Sequence, residues 1–200
     1  MTAALPFHIV LVEPEIPANT GNISRTCAAT GAWLHLVKPL GFRIDDRELK
    51  RAGLDYWPAV KLEVHEHFGE VREKLSGARF FYTSTKGLVP YTEFRYRPGD
   101  VFVFGKETKG LPEELLRENM DCVIRIPMGT AVRSLNLSNA VAIVLYEALR
   151  QTGFPGLVLR GKGVDGTDAD EDGADTGMGD NGPAGAAGRS LSGTAGTDAF

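Results

Sequence analysis

The sequence predicts an α/β domain in which a mostly parallel sheet is flanked by helices. Two observations carry this prediction. Six short apolar runs are rich in β-branched and aromatic residues, and they alternate with segments that have the spacing and end signals of helices. A chain of alternating strands and helices forms a parallel sheet, because each helix carries the chain back to the start of the next strand. Ligands are expected at the carboxyl ends of such strands.

The strands and helices follow one another with short connections. The predicted strands are 7–12, 33–37, 60–64, 79–83, 100–105 and 122–126. The predicted helices are 19–30, 45–53, 65–75, 112–119 and 138–152. Asn19, Thr20 and Asn22 have the side chains that cap a helix start, so they are expected to cap the first helix. The second helix has acidic residues first and basic residues last, which suits the helix dipole.

Residues 161–200 are predicted to form a disordered tail beside a single domain, 1–160. The tail is mainly Gly, Ala, Asp, Ser and Thr, and such a composition cannot offset the entropy lost on ordering. It holds two basic and eight acidic residues, a charge of -6, so with a net charge of -4 for the whole chain the domain has a charge of +2. This balance allows a nucleic-acid partner without establishing one.

The composition favours a cytoplasmic protein with no metal site and no membrane segment. Cys27 and Cys122 lie far apart without a CxxC pattern, so two reduced, partly buried thiols are expected. His65 and His67 flank Glu66 with no third ligand nearby and are expected at the surface. The apolar run at the amino terminus is too short to target or span a membrane.

Two predicted strand ends lead into loops that could carry chemistry. The first loop, EPEIPANTGNISRTCAATG, presents Arg25 on the second turn of its helix. The second, FGKETKGLPEE, spaces Gly105 and Gly110 as a phosphate loop does, but it lacks the Lys and Ser/Thr that must follow. A nucleoside-triphosphate site is therefore excluded. A ligand could approach the backbone at Gly105, and Glu107 could accept hydrogen bonds from loop amides.

The stretch IPMGTAVRSLNLSNAVAIVLYEALRQ begins with a polar cluster and ends as a helix that is apolar around most of its circumference. The polar residues are Arg133, Ser134, Asn136, Ser138 and Asn139. Capping a helix needs one such side chain, so the surplus suggests a bound ligand. The helix is expected to be covered on two sides, by its own sheet and by a second subunit.

Together these loops resemble the signature motifs of the SPOUT (trefoil-knot) RNA methyltransferases, most closely the small TrmL/YibK group that acts on the tRNA wobble ribose. The matching stretches, which span about residues 7–160, are EPEIPANTGNISRTCAATG, GFRIDDRELKRAGLDYW, TSTKG, FGKETKGLP, and RIPM followed by RSLNLSNAVAIVLYEALRQTGFPG. The resemblance implies a carboxyl-terminal trefoil knot, which is an exception to the rule against threaded chains, and a homodimer.

The resemblance also implies the cofactor and the residues that contact it. S-adenosylmethionine would lie bent in the knot, and the matched contacts are Thr83, Gly105, Ile126 and Ser134. Arg25 matches the family's catalytic arginine in a direct in-line attack of a ribose 2'-oxygen on the sulfonium methyl group. A guanidinium stays protonated, which suits Arg25 to clamping a phosphate and stabilising negative charge. A general-base role, or proton transfer to the phosphate or to water, remains open.

The implied function is S-adenosylmethionine-dependent 2'-O-methylation of the wobble nucleotide, cytidine or a modified uridine, in the tRNA anticodon stem-loop. One alternative keeps the fold and chemistry but acts on another tRNA position or on ribosomal RNA. The other is a catalytically silent RNA-binding dimer, and the presence of Arg25 and Ser134 argues against it.

Overall fold

A computed structural model describes residues 6–43 and 59–162, and their strands form one seven-stranded parallel sheet. The strands are β1 His8–Val12, β2 Trp33–Val37, β3 Lys61–His65, β4 Phe80–Thr83, β5 Val89–Pro90, β6 Val101–Phe104 and β7 Val123–Arg125. Their order across the sheet is β3-β2-β1-β6-β4-β7-β5. The predicted fold class is confirmed. From β4 to β7 the strand order departs from chain order. The knot implied by the resemblance stays a prediction.

Helices cover both faces of this sheet. Within the described ranges they are α1 Pro17–Thr30, α2 Phe68–Lys74, α3 Glu113–Glu118 and α4 Leu137–Gln151. All six predicted strands and four predicted helices are confirmed to within three residues at each end. The predicted helix 45–53 lies outside the described residues. Sequence patterns missed β5, because a strand of two residues is too short to show a period.

The start of α1 differs from the prediction. The residue before the helix is Ile16, no side chain caps it, and Pro17 opens the first turn, where its missing N–H has no intrahelical partner to lose. The expected capping by Asn19, Thr20 and Asn22 is therefore wrong. Asn19 and Thr20 lie in the first turn and are buried, so their polar groups can contact neighbouring loops and are not used to cap the helix.

Both faces of the sheet carry apolar side chains, as expected for a sheet with helices on two sides. On one face Ile9 and Leu11 of β1 belong to a core that includes residues of α1 and α4. On the other, Val10 and Val12 belong to a core that includes residues of α2 and α3. All four residues of β6 are buried, so this strand lies at the centre of the fold.

The two cysteines are free, as predicted. Cys27 is buried on α1, and this burial raises the pKa of its thiol to about 12. The thiol therefore stays protonated at neutral pH and is a poor nucleophile. Cys122 is half-buried.

The predicted surface position of His65 is wrong. His65 is only 7% exposed, because it is the last residue of β3 and pairs in register with Val37 of β2. The predicted helix 65–75 begins three residues later, at Phe68. The side chain of His67 is 69% exposed, as expected.

All the elements above belong to the first of two units into which the chain divides, residues 1–159 and 160–200. Of the second unit the structure describes only 160–162, so the tail remains a prediction. None of the helices in the described ranges is long and apolar enough to cross a bilayer.

Candidate active site

Three of the four predicted cofactor residues lie at the carboxyl ends of neighbouring strands. The strands β6, β4 and β7 are adjacent in that order. Thr83 ends β4, Gly105 follows β6, and Ile126 follows β7. The edge is continuous, because Thr83 pairs with Ile124 in register and the Ser84 N–H donates to the Ile124 carbonyl at 3.0 Å. This is the edge at which an α/β sheet binds its ligands.

Thr83 carries a polar atom that the surrounding protein does not satisfy. Its Oγ1 is buried and has no hydrogen-bond partner among the described residues. A buried hydroxyl without a partner lowers stability, and native proteins keep few of them. A polar ligand at the end of β4 would provide the missing partner. Thr83 therefore fits the predicted cofactor site.

Gly105 lets the chain fold back on itself after β6. A Cβ atom at this position would lie less than 3.0 Å from the Gly110 carbonyl carbon and the Leu111 nitrogen, a separation that real structures do not tolerate. The returning loop is held by the Gly110 N–H, which donates to the Lys106 carbonyl at 2.8 Å. The sequence predicted a close approach at Gly105, and the structure shows that the approaching group is this loop's own backbone.

Glu107 links this loop to the start of α1. Its Oε2 accepts from the Glu15 N–H at 2.8 Å, and its Oε1 accepts from the Ile16 N–H at 3.3 Å and the Asn19 side-chain amide at 2.9 Å. The Thr108 hydroxyl donates back to the Glu15 carboxylate at 2.7 Å. The predicted role of Glu107 as an acceptor for loop amides is confirmed. Its negative charge also suits the amino end of a helix.

Asn136 joins the third loop to the same network. Its Oδ1 accepts from the Ser138 N–H at 2.9 Å and the Asn139 N–H at 3.4 Å, which caps α4. Its side-chain amide donates to Asn19 Oδ1 at 3.0 Å. A continuous path therefore runs from Asn136 through Asn19 to Glu107. We call these three residues the loop-linking triad, because they tie the three motif loops into one unit.

Ser134 and Arg25 are placed near this triad but at exposed positions. Ser134 lies two residues before Asn136. Arg25 lies on α1 six residues after Asn19, which is about 9 Å along the helix axis. Arg25 lies on α1, and the triad holds the start of this helix against two loops. One loop follows β6 and the other precedes α4. Exposed side chains there can reach a ligand that approaches from solvent.

Comparison with known proteins decides the family. Residues 6–146 match the family described as "SpoU rRNA Methylase family". The chain belongs to this family. It is 52% identical over 153 residues to the tRNA (cytidine(34)-2'-O)-methyltransferase of Methylovorus glucosotrophus, across 76% of this chain and 99% of that protein. The predicted resemblance and the predicted enzyme class are confirmed.

Two solved structures support the same placement. One, described as "Structural insights into the 2-OH methylation of C/U34 on tRNA", is 49% identical, covers 74% of this chain and 97% of its own, and has a TM-score of 0.71. The other, an AdoMet-bound rRNA methyltransferase from Sinorhizobium meliloti, is 31% identical, covers 74% of this chain and 57% of its own, and has a TM-score of 0.66.

The SpoU methylase chain also has a cleft that the sequence did not predict. It has a volume of about 390 Å³ and lies between the end of β1 and the start of α3. Its lining is Val12, Glu13, Lys106, Lys109, Gly110, Leu111, Pro112 and Glu113. None of the four predicted cofactor residues lines it. Lys106 donates to the Glu13 carboxylate at 2.6 Å, and this bond raises the pKa of Lys106. The cleft therefore adjoins the loop after β6 without containing the strand-end edge.

Replacing Glu107 with glutamine tests the loop-linking triad of this SpoU methylase. The amide removes the charge and, in one orientation, sets an NH2 group against the backbone N–H of Glu15 or the amide of Asn19. We expect the free energy of unfolding to fall by about 2 kcal/mol, as for a lost, partly buried hydrogen bond to a charged group. Urea denaturation would measure it. The matched control is Glu114→Gln at an exposed position of α3. An equal loss of stability in both variants would contradict a special role for Glu107.

Proposed function

We propose that this protein methylates the ribose 2'-oxygen of the wobble nucleotide, cytidine or a modified uridine, in the anticodon stem-loop of tRNA. The observation that carries the proposal is the loop-linking triad, which joins the three motif loops that follow β1, β6 and β7. The similarity to the tRNA (cytidine(34)-2'-O)-methyltransferase of Methylovorus glucosotrophus, 52% identical over 153 residues, supports the same reaction. The reaction takes place in the cytoplasm, where tRNA is the substrate.

In this proposal Thr83, Gly105, Ile126 and Ser134 form the cofactor site. S-adenosylmethionine, when bound, supplies an activated methyl group on a sulfonium. The Thr83 hydroxyl offers a buried hydrogen-bonding group at the strand end. Gly105 keeps the loop after β6 folded back, and Ile126 contributes main-chain groups directly after β7. Ser134 contacts the ligand from the exposed loop before α4.

Arg25 is the catalytic residue of the proposal. It is exposed on a helix whose start is fixed by the loop-linking triad, so an RNA approaching from solvent can meet it. A guanidinium binds a phosphate through two parallel hydrogen bonds and holds it in one orientation. Arg25 thereby positions the target ribose and stabilises the negative charge that develops on its 2'-oxygen.

The proposal includes a homodimer built on the outer side of α4. The inner side of α4 is buried against its own core, but Tyr146 on this helix is 46% exposed and Val132 in the preceding loop is 56% exposed. Ala142 and Ile143 beside them are half-buried. A helix that is apolar on this side as well is stabilised by a second copy of the chain.

A methyl-transfer assay with a matched substrate pair tests the proposal. Purified protein and labelled S-adenosylmethionine are mixed with an anticodon stem-loop RNA, or with the same RNA carrying a 2'-deoxy nucleotide at the wobble position. We expect label in the first RNA only, and mass spectrometry should place it on the wobble ribose. Total tRNA from cells lacking the gene serves as a naturally modified substrate.

Two results would contradict this assignment. Label at another nucleotide, or in the 2'-deoxy RNA, would keep the enzyme and change its target to another tRNA or ribosomal position. Absence of label from every RNA, although calorimetry detects cofactor binding, would support the silent RNA-binding dimer.

A further inference from the structure

A cluster of histidines and one glutamate lies on β1, β2 and β3, in the half of the sheet away from β4 and β7. His35 of β2 pairs in register with Glu63 of β3, and His65 ends β3 two residues later. His35 is 1% exposed and His65 is 7% exposed. Lys74 of α2 donates to Glu63 at 2.8 Å, so the cluster lies under that helix. The proposed methyl transfer uses none of these residues.

Three atoms of the cluster have the spacing of metal ligands. His35 Nδ1 lies 3.1 Å from His65 Nε2, and Glu63 Oε2 lies 3.6 Å from the first nitrogen and 3.7 Å from the second. A point equidistant from all three atoms is about 2.0 Å from each, which is the length of zinc bonds to histidine nitrogen and carboxylate oxygen. Among the described residues this is the group of His, Cys, Asp and Glu side chains that meets the spacing for an ion.

The surrounding contacts orient these atoms as a second layer of ligands does. His35 Nε2 lies 3.0 Å from His8 Nδ1, so it can donate its proton there and leave Nδ1 with a free lone pair. Lys74 Nζ donates a hydrogen bond to Glu63 Oε1. The other oxygen, Oε2, is buried and has no hydrogen-bond partner among the described residues. A carboxylate oxygen in that position is costly unless a positive charge satisfies it.

We propose that His35 Nδ1, His65 Nε2 and Glu63 Oε2 bind one zinc ion, with a fourth position open to water. Two imidazoles and one carboxylate form a donor set that zinc accepts, whereas magnesium and calcium prefer oxygen ligands. The ion would join β2 to β3, the strand at the edge of the sheet. Among the described residues no strand pairs with the outer side of β3, so the ion would stabilise an edge strand.

A chain of hydrogen-bonded imidazoles is the alternative for the same atoms. His65 Nε2 would then donate to His35 Nδ1, and His35 Nε2 would donate to His8 Nδ1. That arrangement satisfies the three rings but leaves Glu63 Oε2 buried without a donor. The ion satisfies all three atoms at once, which is why we favour it.

Metal titration of the full-length protein tests the proposal. The protein is stripped with a chelator, dialysed, and titrated with ZnCl2 by calorimetry, and with CoCl2 while the visible spectrum is recorded. We expect one zinc ion per chain and the intense visible bands of four-coordinate cobalt. At a free zinc concentration about 100 times Kd, we expect Tm to rise by roughly 5 °C or more.

Matched variants separate the cluster from ordinary surface binding. Glu63→Gln and His65→Gln should each weaken zinc binding at least about 10-fold, as loss of a ligand does. Glu66→Gln and His67→Gln change the neighbouring exposed residues of the same types and should leave stoichiometry and Kd unchanged. Circular dichroism checks that each variant is folded.

Three results would overturn the proposal. They are the absence of saturable zinc binding by the wild-type chain, a weak six-coordinate cobalt spectrum, and zinc affinity that survives Glu63→Gln but is lost with His67→Gln. Because metal binding is measured without RNA or S-adenosylmethionine, the outcome is independent of the proposed methyl transfer. If Glu63→Gln fails to fold, the stoichiometry and cobalt spectrum of the wild-type chain still decide between the ion and the imidazole chain.

Discussion

Replacing Arg25 with alanine is expected to lower kcat for methyl transfer at least about 100-fold, which is the usual effect of removing one group that stabilises developing charge. The side chain is exposed on α1, so its loss leaves no cavity and Tm should change little. The proposed cofactor residues lie on other elements, so Kd for S-adenosylmethionine should stay near the wild-type value. Single-turnover kinetics would separate the chemical step from RNA binding.

Two further arginine variants make the Arg25 result specific. Arg25→Lys keeps the charge but loses the planar fork, so we expect a rate between those of the wild type and the alanine variant. Arg117→Ala removes an arginine whose side chain is 76% exposed and paired with Glu113 at 2.9 Å, and it should retain wild-type turnover. Near-normal turnover by Arg25→Ala would remove this residue from the mechanism. A large fall in Tm would instead assign it a structural role.

The strands and most helices could be predicted because their signals are local. The run 101–104 is buried on both sides, and its continuous apolar character is typical of a central parallel strand. The alternation of such runs with amphipathic segments decides the fold class by itself. Residues 89–90 show the limit, because their pairing with β7 depends on a neighbour 35 positions away and leaves no pattern in two residues.

The roles of Asn19 and His65 could not be predicted, because their partners are distant in sequence. Asn19 has the side chain of a cap, but its acceptor is Glu107, 88 residues away. His65 depends on where β3 ends. The strand runs one residue beyond its predicted end and the helix begins only at Phe68, so His65 stays on β3 and its Nε2 lies 3.1 Å from His35 Nδ1. A shift of a few residues thus changes which face a side chain occupies.

The resemblance predicted four cofactor residues, and at two of them, Thr83 and Gly105, the structure shows features that fit the proposed site. At Thr83 the feature is a buried hydroxyl that lacks a partner, which sequence alone cannot show. At Gly105 the feature is the returning backbone at Gly110 and Leu111. Neither position could be derived from local pattern, since each depends on a segment that meets it only in the folded chain.

Replacing Gly105 with alanine is expected to lower the free energy of unfolding by about 3 kcal/mol or more, because the new methyl group overlaps backbone atoms that cannot rotate away. Residues 105–111 carry the loop that holds Glu107, so a shift of this loop should also weaken the contact of Glu107 with the start of α1. We therefore expect weaker binding of S-adenosylmethionine in any fraction that remains folded. Urea denaturation and calorimetry measure the two effects.

Gly129→Ala is the matched control for Gly105→Ala. A Cβ atom at Gly129 meets nothing within 4 Å, and this glycine is not among those with a positive φ angle. The same chemical change should therefore leave stability and cofactor affinity near wild type. The loop 105–111 could instead move enough to relieve the overlap without unfolding. Stability would then be retained, and Kd for S-adenosylmethionine would rise because the moved loop is part of the proposed cofactor site. If both quantities stay at wild-type values, the close return of the chain after β6 is wrong, and so is the role of Gly105 in shaping the cofactor site.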